Sequence, residues 1–412
     1  MTVALSSAVR PVMDGERADV LDALRAFALL GILVSHVPDF TGYTFLPAAQ
    51  RAMLDPLEID PAVAGWLVLL IREKFVSLFS FLFGIGFAIQ LERSARLGTG
   101  FRIRFGRRLA ALFVIGMAHA AIWYGDILKD YALLGAVLLF TCRWPLRRIA
   151  VVAVLLLAAR LAWPLMIYGI AAGVSQHGPS PAQSFADSFA GLAHGPAAFF
   201  HENWQLVRLK ALQMIYEGRF ITILTMFFLG ALAGRMALFR NLRENRRLFI
   251  RVAVLCGSAG MLANLALVPF EASTNAYPPT WDWVAFQSLV AVAAPALSLA
   301  YASSFALAWD ALDGRFLRRI APVGRTALTS YVSQTLLCTF AFEWLGLGRG
   351  LGAVGCMVAA ILIFALQCLL AQAWLQHFRF GPLEWIWRCA TYAEFIAIRR
   401  FSPDQRPLKA TG

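Results

Sequence analysis

The sequence predicts an all-α fold: a polytopic membrane helical bundle of about ten transmembrane helices, with both termini cytoplasmic. Three observations carry that reading. The 412 residues are 59% hydrophobic and only 15% charged, whereas about a quarter of a soluble domain is charged. Apolar runs long enough to cross a bilayer recur along the whole chain. The bases gather between alternate runs, and 26 of the 37 Lys and Arg fall in segments that a single orientation places inside. This composition excludes a disordered chain, a secreted disulfide scaffold and an ordinary cytosolic enzyme. The net charge of +13 does not point to nucleic acid, because the bases form short clusters between apolar runs and not one soluble basic face.

The elements follow in order. Residues 1–18 form a cytoplasmic tail. The run at 20–37 carries Asp22 and Arg25 and lacks a small-residue cleavage site, so it is read as an uncleaved first span. The run at 62–91 is broken by Arg72, Glu73 and Lys74, which suits a short interfacial helix followed by a span from Phe75. Runs at 109–124 and 127–142 make a hairpin around the turn Trp123-Tyr124-Gly125-Asp126, and the run at 149–170 completes a five-helix half over 19–170. The outer segment 171–218 holds Pro179, Pro181, Pro196, His177, His194 and His201, and reads as a partly ordered loop lying on the membrane. The outer loop at 38–61 is acidic, with Asp39, Asp55, Glu58 and Asp60. Runs at 219–239, 249–270, 282–309, 321–345 and 351–376 build a second half over 219–400. It closes with an amphipathic helix after Gly381-Pro382 on the cytoplasmic surface, and 401–412 is a cytoplasmic tail. The six Cys form no CxxC pair, so neither a disulfide framework nor a metal site is expected. Gly230-xxx-Gly234 permits close helix contact. Gly84 and Gly86 lack the strand–turn–helix setting of a nucleotide loop.

Polar residues inside spans carry the functional signal, since each charge costs about 2.5–3.5 kcal/mol at mid-bilayer on insertion scales. Asp22 and Arg25 are three apart on one helical face and can pair, or Arg25 can meet an anionic ligand on the cytoplasmic side. His36 and His119 fall at the outer ends of their spans. A histidine beside a carboxylate can abstract a hydroxyl proton, the carboxylate fixing the tautomer. Asp126 can play that part for His119 across the hairpin turn, or cap the fourth span, or do both. Arg160 sits isolated in the fifth span and needs a carboxylate, a phosphate or water. Thr326, Ser330, Ser333 and Gln334 form a polar stripe that suits interhelical hydrogen bonding or a ligand path.

Five stretches, taken in order, resemble one family. They are Leu21-Asp22-Ala23-Leu24-Arg25-Ala26-Phe27, Lys74-Phe75-Val76-Ser77-Leu78-Phe79-Ser80-Phe81-Leu82-Phe83-Gly84, Gly125-Asp126-Ile127-Leu128 with Tyr131, Gly324-Arg325-Thr326-Ala327-Leu328-Thr329-Ser330-Tyr331, and Gly381-Pro382-Leu383-Glu384-Trp385. Together they look like the YeiB-like family of bacterial inner-membrane proteins, whose C-terminal half is a domain of unknown function. The N-terminal half of that family is similar to transmembrane acyltransferases such as heparan-alpha-glucosaminide N-acetyltransferase. The resemblance implies an acyl group passing from cytoplasmic acyl-CoA to a hydroxyl or amine on the far side. Two positions depart from the family: Ala26 stands where Gly is usual, and His36 where Asn is usual. The loop after His36 has no further histidine, so the catalytic histidine of the acetyltransferase relative has no counterpart here.

The expectation is therefore a donor side and an acceptor side. Arg25, Arg325 and Lys74 would contact the anionic donor, and His119 with Asp126 would act as base, His36 being the alternative. Asp130 and Tyr131 join the substrate-binding set. No bound cofactor is expected, acyl-CoA being a substrate. The partners expected are the lipid bilayer and a small-molecule, glycan or lipid acceptor, with homo-oligomerisation left open. The rival reading is a transporter or exporter of a small metabolite or lipid precursor, with Asp126 or Glu73 coupling protons.

Overall fold

The computed structural model describes residues 19–54, 59–96, 100–172, 196–273 and 278–400. The main helices are α1 Asp19–Phe40, α2 Ala48–Met53, α3 Asp60–Leu70, α4 Lys74–Arg96, α5 Phe101–Ala120, α6 Leu128–Phe140 and α7 Leu146–Ala172. They continue as α8 Pro196–Tyr216, α9 Arg219–Arg235, α10 Arg246–Leu267, α11 Trp281–Ala311, α12 Ala321–Arg325, α13 Ala327–Cys338, α14 Ala353–His377 and α15 Pro382–Tyr392. Every apolar run of the sequence holds a helix, and among the described residues there is no strand, only a single bridge between Phe378 and Arg399.

Six of these helices are long and apolar enough to cross a membrane, or seven if the bent pair α8–α9 counts as one span, among the described residues. The remainder are shorter or more polar: α6 has 13 residues, α13 has 12, and α5 opens with Arg102, Arg104, Arg107 and Arg108. The break foreseen at 72–74 is present, although the helix resumes at Lys74, one residue earlier than Phe75. The segment 171–218 departs from the loop expected of it. Residues 196–216 form the 21-residue helix α8, set at 70° to α9 across Glu217 and Gly218. Buried Leu206 and Val207 and the hydrogen bonds from Asn203 to the carbonyls of Ala120 and Ala121, at 2.7 and 3.1 Å, tie this helix to the end of α5. His177 and His194 lie outside the described residues, as do Asp55 and Glu58 of the acidic loop.

α1 is the central post. In its most apolar window 72% of residues are buried, against 22% for α7 and for α10, which turn most of their surface outward. α1 packs on α4, α12, α13 and α14. Glycines set the closest approaches. A side chain at Gly324 would strike the carbonyl of Asp22, and one at Gly31 would strike the ring of Phe75. α4 and α9 cross where Gly84 meets the Phe227 carbonyl and Gly230 meets the Phe81 carbonyl, with Gly234 resting on Ala88. The Gly230-xxx-Gly234 reading is thus met, and Gly84 is a packing residue. Small residues let backbones approach in a bilayer, where dispersion contacts replace the hydrophobic drive between helices.

Carboxylates and one arginine satisfy helix ends across long stretches of sequence. Asp60 accepts from Ala353 N at 2.6 Å and Val354 N at 3.1 Å, capping α14. Glu384 accepts from Leu328 N at 2.6 Å and Thr329 N at 3.2 Å, capping α13, and from Thr329 Oγ1 at 2.6 Å. Burial raises the Glu384 carboxyl above its ordinary pKa, and the hydrogen bonds from Thr329 and Leu328 pull it the other way. Arg235 donates to the carbonyls of Thr141, Cys142 and Trp144 at 2.6–3.2 Å, covering the end of α6. The polar stripe of α13 is interhelical: Gln334 donates to Gln367 Oε1, and Gln367 donates to Ser330 O and Ser333 Oγ, each at 2.9 Å.

These contacts separate two kinds of glycine. Gly230→Ala is expected to lower thermal stability by about 1–3 kcal/mol through overpacking. Gly86→Ala, whose added carbon meets nothing within 4 Å, is expected to be neutral or slightly stabilising. Unfolding curves of the two purified variants in one detergent check this, and equal effects would refute the crossing point.

Candidate functional site

The C-terminal end of α5 meets the N-terminal end of α6 around His119. The α5 helix delivers His119 at its last turn, and the Trp123–Asp126 turn brings Asp126 back over it. His119 Nδ1 lies 2.7 Å from Asp126 Oδ1, and Nε2 lies 2.9 Å from Thr335 Oγ1 on α13. Asp126 Oδ2 also accepts from Lys129 N at 3.0 Å, so it caps α6 as well as holding the imidazole. Asp126 thus makes both contacts that the sequence allowed, to the imidazole and to the N-terminus of α6. His119 and Asp126 are each 2% exposed, as is Thr335. With Asp126 taking the Nδ1 proton, Nε2 is left as an acceptor for the Thr335 hydroxyl.

His36 reaches the same region from α1. Its ring stands edge-on to Trp123 at 4.6 Å, and Trp123 in turn lies 6.2 Å from His119. Unlike His119, His36 is part-exposed. It lies within electrostatic reach of Lys210, Arg219 and His119. Asp39, one turn further along α1 and hydrogen-bonded by Thr44, is within reach of Lys210, Arg72 and Arg219. Arg219 pairs with Glu73 and, at 3.0 Å, with Glu217. Glu217 also accepts from Gln213 at 2.8 Å. Lys129 Nζ donates to the Asp126 carbonyl at 2.8 Å and pairs with Asp130 at 3.1 Å.

Two helix breaks thus face each other through the Glu73–Arg219 pair: the α3–α4 break, where Glu73 has φ 68°, and the α8–α9 bend at Gly218, where φ is 70°. Freed backbone groups and charges of both signs gather there beside His36. Breaks inside a membrane are tolerated where the irregular backbone is covered by protein or lines a polar cavity.

The remaining site candidates are spread out. Arg25 Nη1 pairs with Asp22 Oδ1 at 2.5 Å, the structural ion pair that the spacing allowed. Arg325 ends α12 next to Gly324, against α1 at Asp22, so Arg25 and Arg325 share one end of the bundle. Lys74 does not join them. It is 4% exposed, donates to Val68 O at 2.8 Å, and precedes Phe75, which packs on Gly31, about 13 Å along α1 from Asp22. Tyr131 is turned into α4, its hydroxyl 2.6 Å from Ser80 Oγ and donating to Val76 O at 2.9 Å. Asp130 stays near Asp126 through Lys129, which contacts both. Among the described residues no three His, Cys, Asp or Glu side chains are grouped to hold a metal ion.

Thr335 and Arg219 were not legible as site residues, whereas Glu73 was named for the transporter reading. Thr335 stands beside the polar stripe of α13, one position out of phase, and so faces α5. A double-mutant cycle of His119→Ala and Thr335→Val is expected to be non-additive by about 0.5–3 kcal/mol, read by thermal unfolding. Additive losses would mean the two side chains do not interact.

Comparison with known proteins bears on the whole chain. A family profile described as "Protein of unknown function (DUF418)" matches residues 233–394. The chain is 32% identical to "Uncharacterized protein YeiB" of Escherichia coli (strain K12), over 91% of this chain and 96% of the relative. It is 29% identical to "Uncharacterized protein YxaH" of Bacillus subtilis (strain 168), over 96% and 99%. It is 25% identical to an "Uncharacterized 39.9 kDa protein in amylase 3'region" of Bacillus acidopullulyticus, over 93% and 96%. No solved structure matches the chain.

Proposed function

Because the chain belongs to the YeiB-like DUF418 family, we propose that it is a multi-pass protein of the bacterial inner membrane that transfers an acyl group from cytoplasmic acyl-CoA to a hydroxyl or amine acceptor at the outer face. In this reading the chain has ten spans and both termini lie in the cytoplasm, the bases between alternate runs facing inward.

The observation that supports the reading is the hydroxyl–imidazole–carboxylate series Thr335–His119–Asp126 beside a charged recess at the outer helix ends. Asp126 holds the His119 tautomer, and Nε2 is the base. An acceptor hydroxyl entering the recess displaces Thr335 from Nε2 and gives up its proton there. Its oxygen bonds to the acyl carbon of the thioester, the C–S bond breaks, and the coenzyme thiolate takes the proton back from the imidazolium. His36, part-exposed and next to Trp123, is the alternative base. Arg25 and Arg325, at the other end of α1, are placed for the phosphates of the donor.

Purified protein with acetyl-CoA is expected to gain stability saturably, about 2.7 kcal/mol at a hundred times Kd, with free CoA and acetate as controls. Coenzyme release in the presence of a panel of hydroxyl and amine acceptors is expected to fall at least a hundredfold in His119→Ala and to survive in Thr335→Val, which keeps shape but removes the hydroxyl. Full activity in both His119→Ala and His36→Ala would sink the assignment. Loss in Thr335→Val would move the acyl group onto Thr335 itself.

A second reading rests on the facing helix breaks. Discontinuous helices whose ends carry charge are a recurrent way to hold a substrate in transporters, and the Glu73–Arg219 pair joins two of them. Substrate flux into proteoliposomes without covalent change would favour it over transfer.

A further inference from the structure

Arg160 is 1% exposed, in the middle of a helix that otherwise turns outward. The buried positions of α7, Ile149, Ala153, Arg160 and Pro164, recur at helical spacing and make one narrow stripe. Leu155, Leu161 and Leu165 lie outside it and are exposed. Arg160 therefore points into the junction of α7, α9 and α11 and does not extend to either membrane face.

Its partners there are neutral. Nε donates to Thr222 Oγ1 on α9 at 3.2 Å, and Nη2 donates to Gln287 Oε1 on α11 at 3.2 Å. Among the described residues Nη1 is buried with no acceptor. Trp283 lies one turn before Gln287 on the same face of α11, is fully buried, and among the described residues its Nε1 also has no acceptor. The Trp283 ring packs on Tyr216 at 4.6 Å. The carboxylate that acts on Arg160 is Glu217, whose oxygens are engaged by Arg219 and Gln213.

A hydroxyl and an amide can align a guanidinium but cannot neutralise it. A buried cation whose nearby carboxylate is already shared is a costly arrangement in a membrane protein, and an unmade buried donor adds to the cost. Two unmet donors on and beside a guanidinium that shares Glu217 with Arg219 call for an acceptor that carries negative charge. We propose that Arg160, with Trp283 and the Gln287 and Thr222 anchors, forms a binding site for a small monoanion, chloride or a carboxylate, between α7, α9 and α11. The site stands on these residues alone and holds whether the recess beyond Glu217 transfers acyl groups or transports.

The test uses the full-length protein in phosphatidylcholine nanodiscs, with ionic strength held by a bulky buffer anion. Thermal unfolding is followed as chloride or acetate is added, with acetamide as the neutral control. The expected result is a saturable rise in Tm with chloride or acetate, absent in Arg160→Gln and retained in the exposed Arg243→Gln. Arg160→Lys is expected to keep the response with a midpoint weaker by about tenfold, and it carries the test if Arg160→Gln does not fold. No saturable rise in the unmodified protein overturns the proposal, as does an unchanged midpoint in both Arg160 variants. A rise seen only when phosphatidylglycerol replaces phosphatidylcholine assigns Arg160 to a lipid headgroup and overturns the small-ion site.

Discussion

A bilayer core offers no hydrogen-bond partners, so each polar group that this chain carries inward must be met by another part of the chain. The architecture follows from how that demand is met. Three carboxylates far from the helices they serve, or across a tight turn from them, close helix ends: Asp60 on α14, Glu384 on α13 and Asp126 on α6. Each replaces the local Ser or Thr cap of a soluble helix. Each also fixes which segment neighbours which, because a cap works only at hydrogen-bond distance. Where a soluble fold would leave such ends to water, here they determine the packing order of the bundle.

The same demand bears on the charged cluster near His36. Two helices break there, at Arg72–Glu73 and at Glu217–Gly218, and Arg219 joins the two breaks by pairing with Glu73 and Glu217. The imidazole of His119 is a different case. It is held on both nitrogens by the protein, by Asp126 seven residues away and by Thr335 216 residues away. A group so held is rigid and pre-oriented, while His36 is part-exposed. The Trp123 ring packs against both imidazoles.

Features set by local spacing were legible in the sequence. The apolar runs, the break at 72–74, the Asp22–Arg25 pair, the glycine pair of α9 and the dual task of Asp126 all depend on residues within a few turns of one another. Features set by distant contacts were not. Helix α8 was hidden because three prolines and three histidines give the segment from 171 to 218 the composition of a loop, while its helical part is tied to the end of α5 through Asn203. Lys74 was grouped with Arg25 and Arg325 by charge, yet position along α1, which charge does not reveal, separates them. Thr335 carries no mark of its own, and only the angle between α5 and α13 makes it a partner of His119.

The clip made by α15 bears on how the protein is made. Glu384 closes the N-terminus of α13 from 56 residues downstream, and Trp387 donates to Arg108 O at 2.7 Å with the Arg108 guanidinium stacked on its ring at 3.4 Å. Because translation proceeds from the N-terminus, α13 and α5 leave the ribosome long before their latch exists. The bundle therefore begins to assemble with one helix end open, and that end can close only after residue 384 has been made. A nascent chain cut short before residue 384 carries α13 with an uncapped N-terminus.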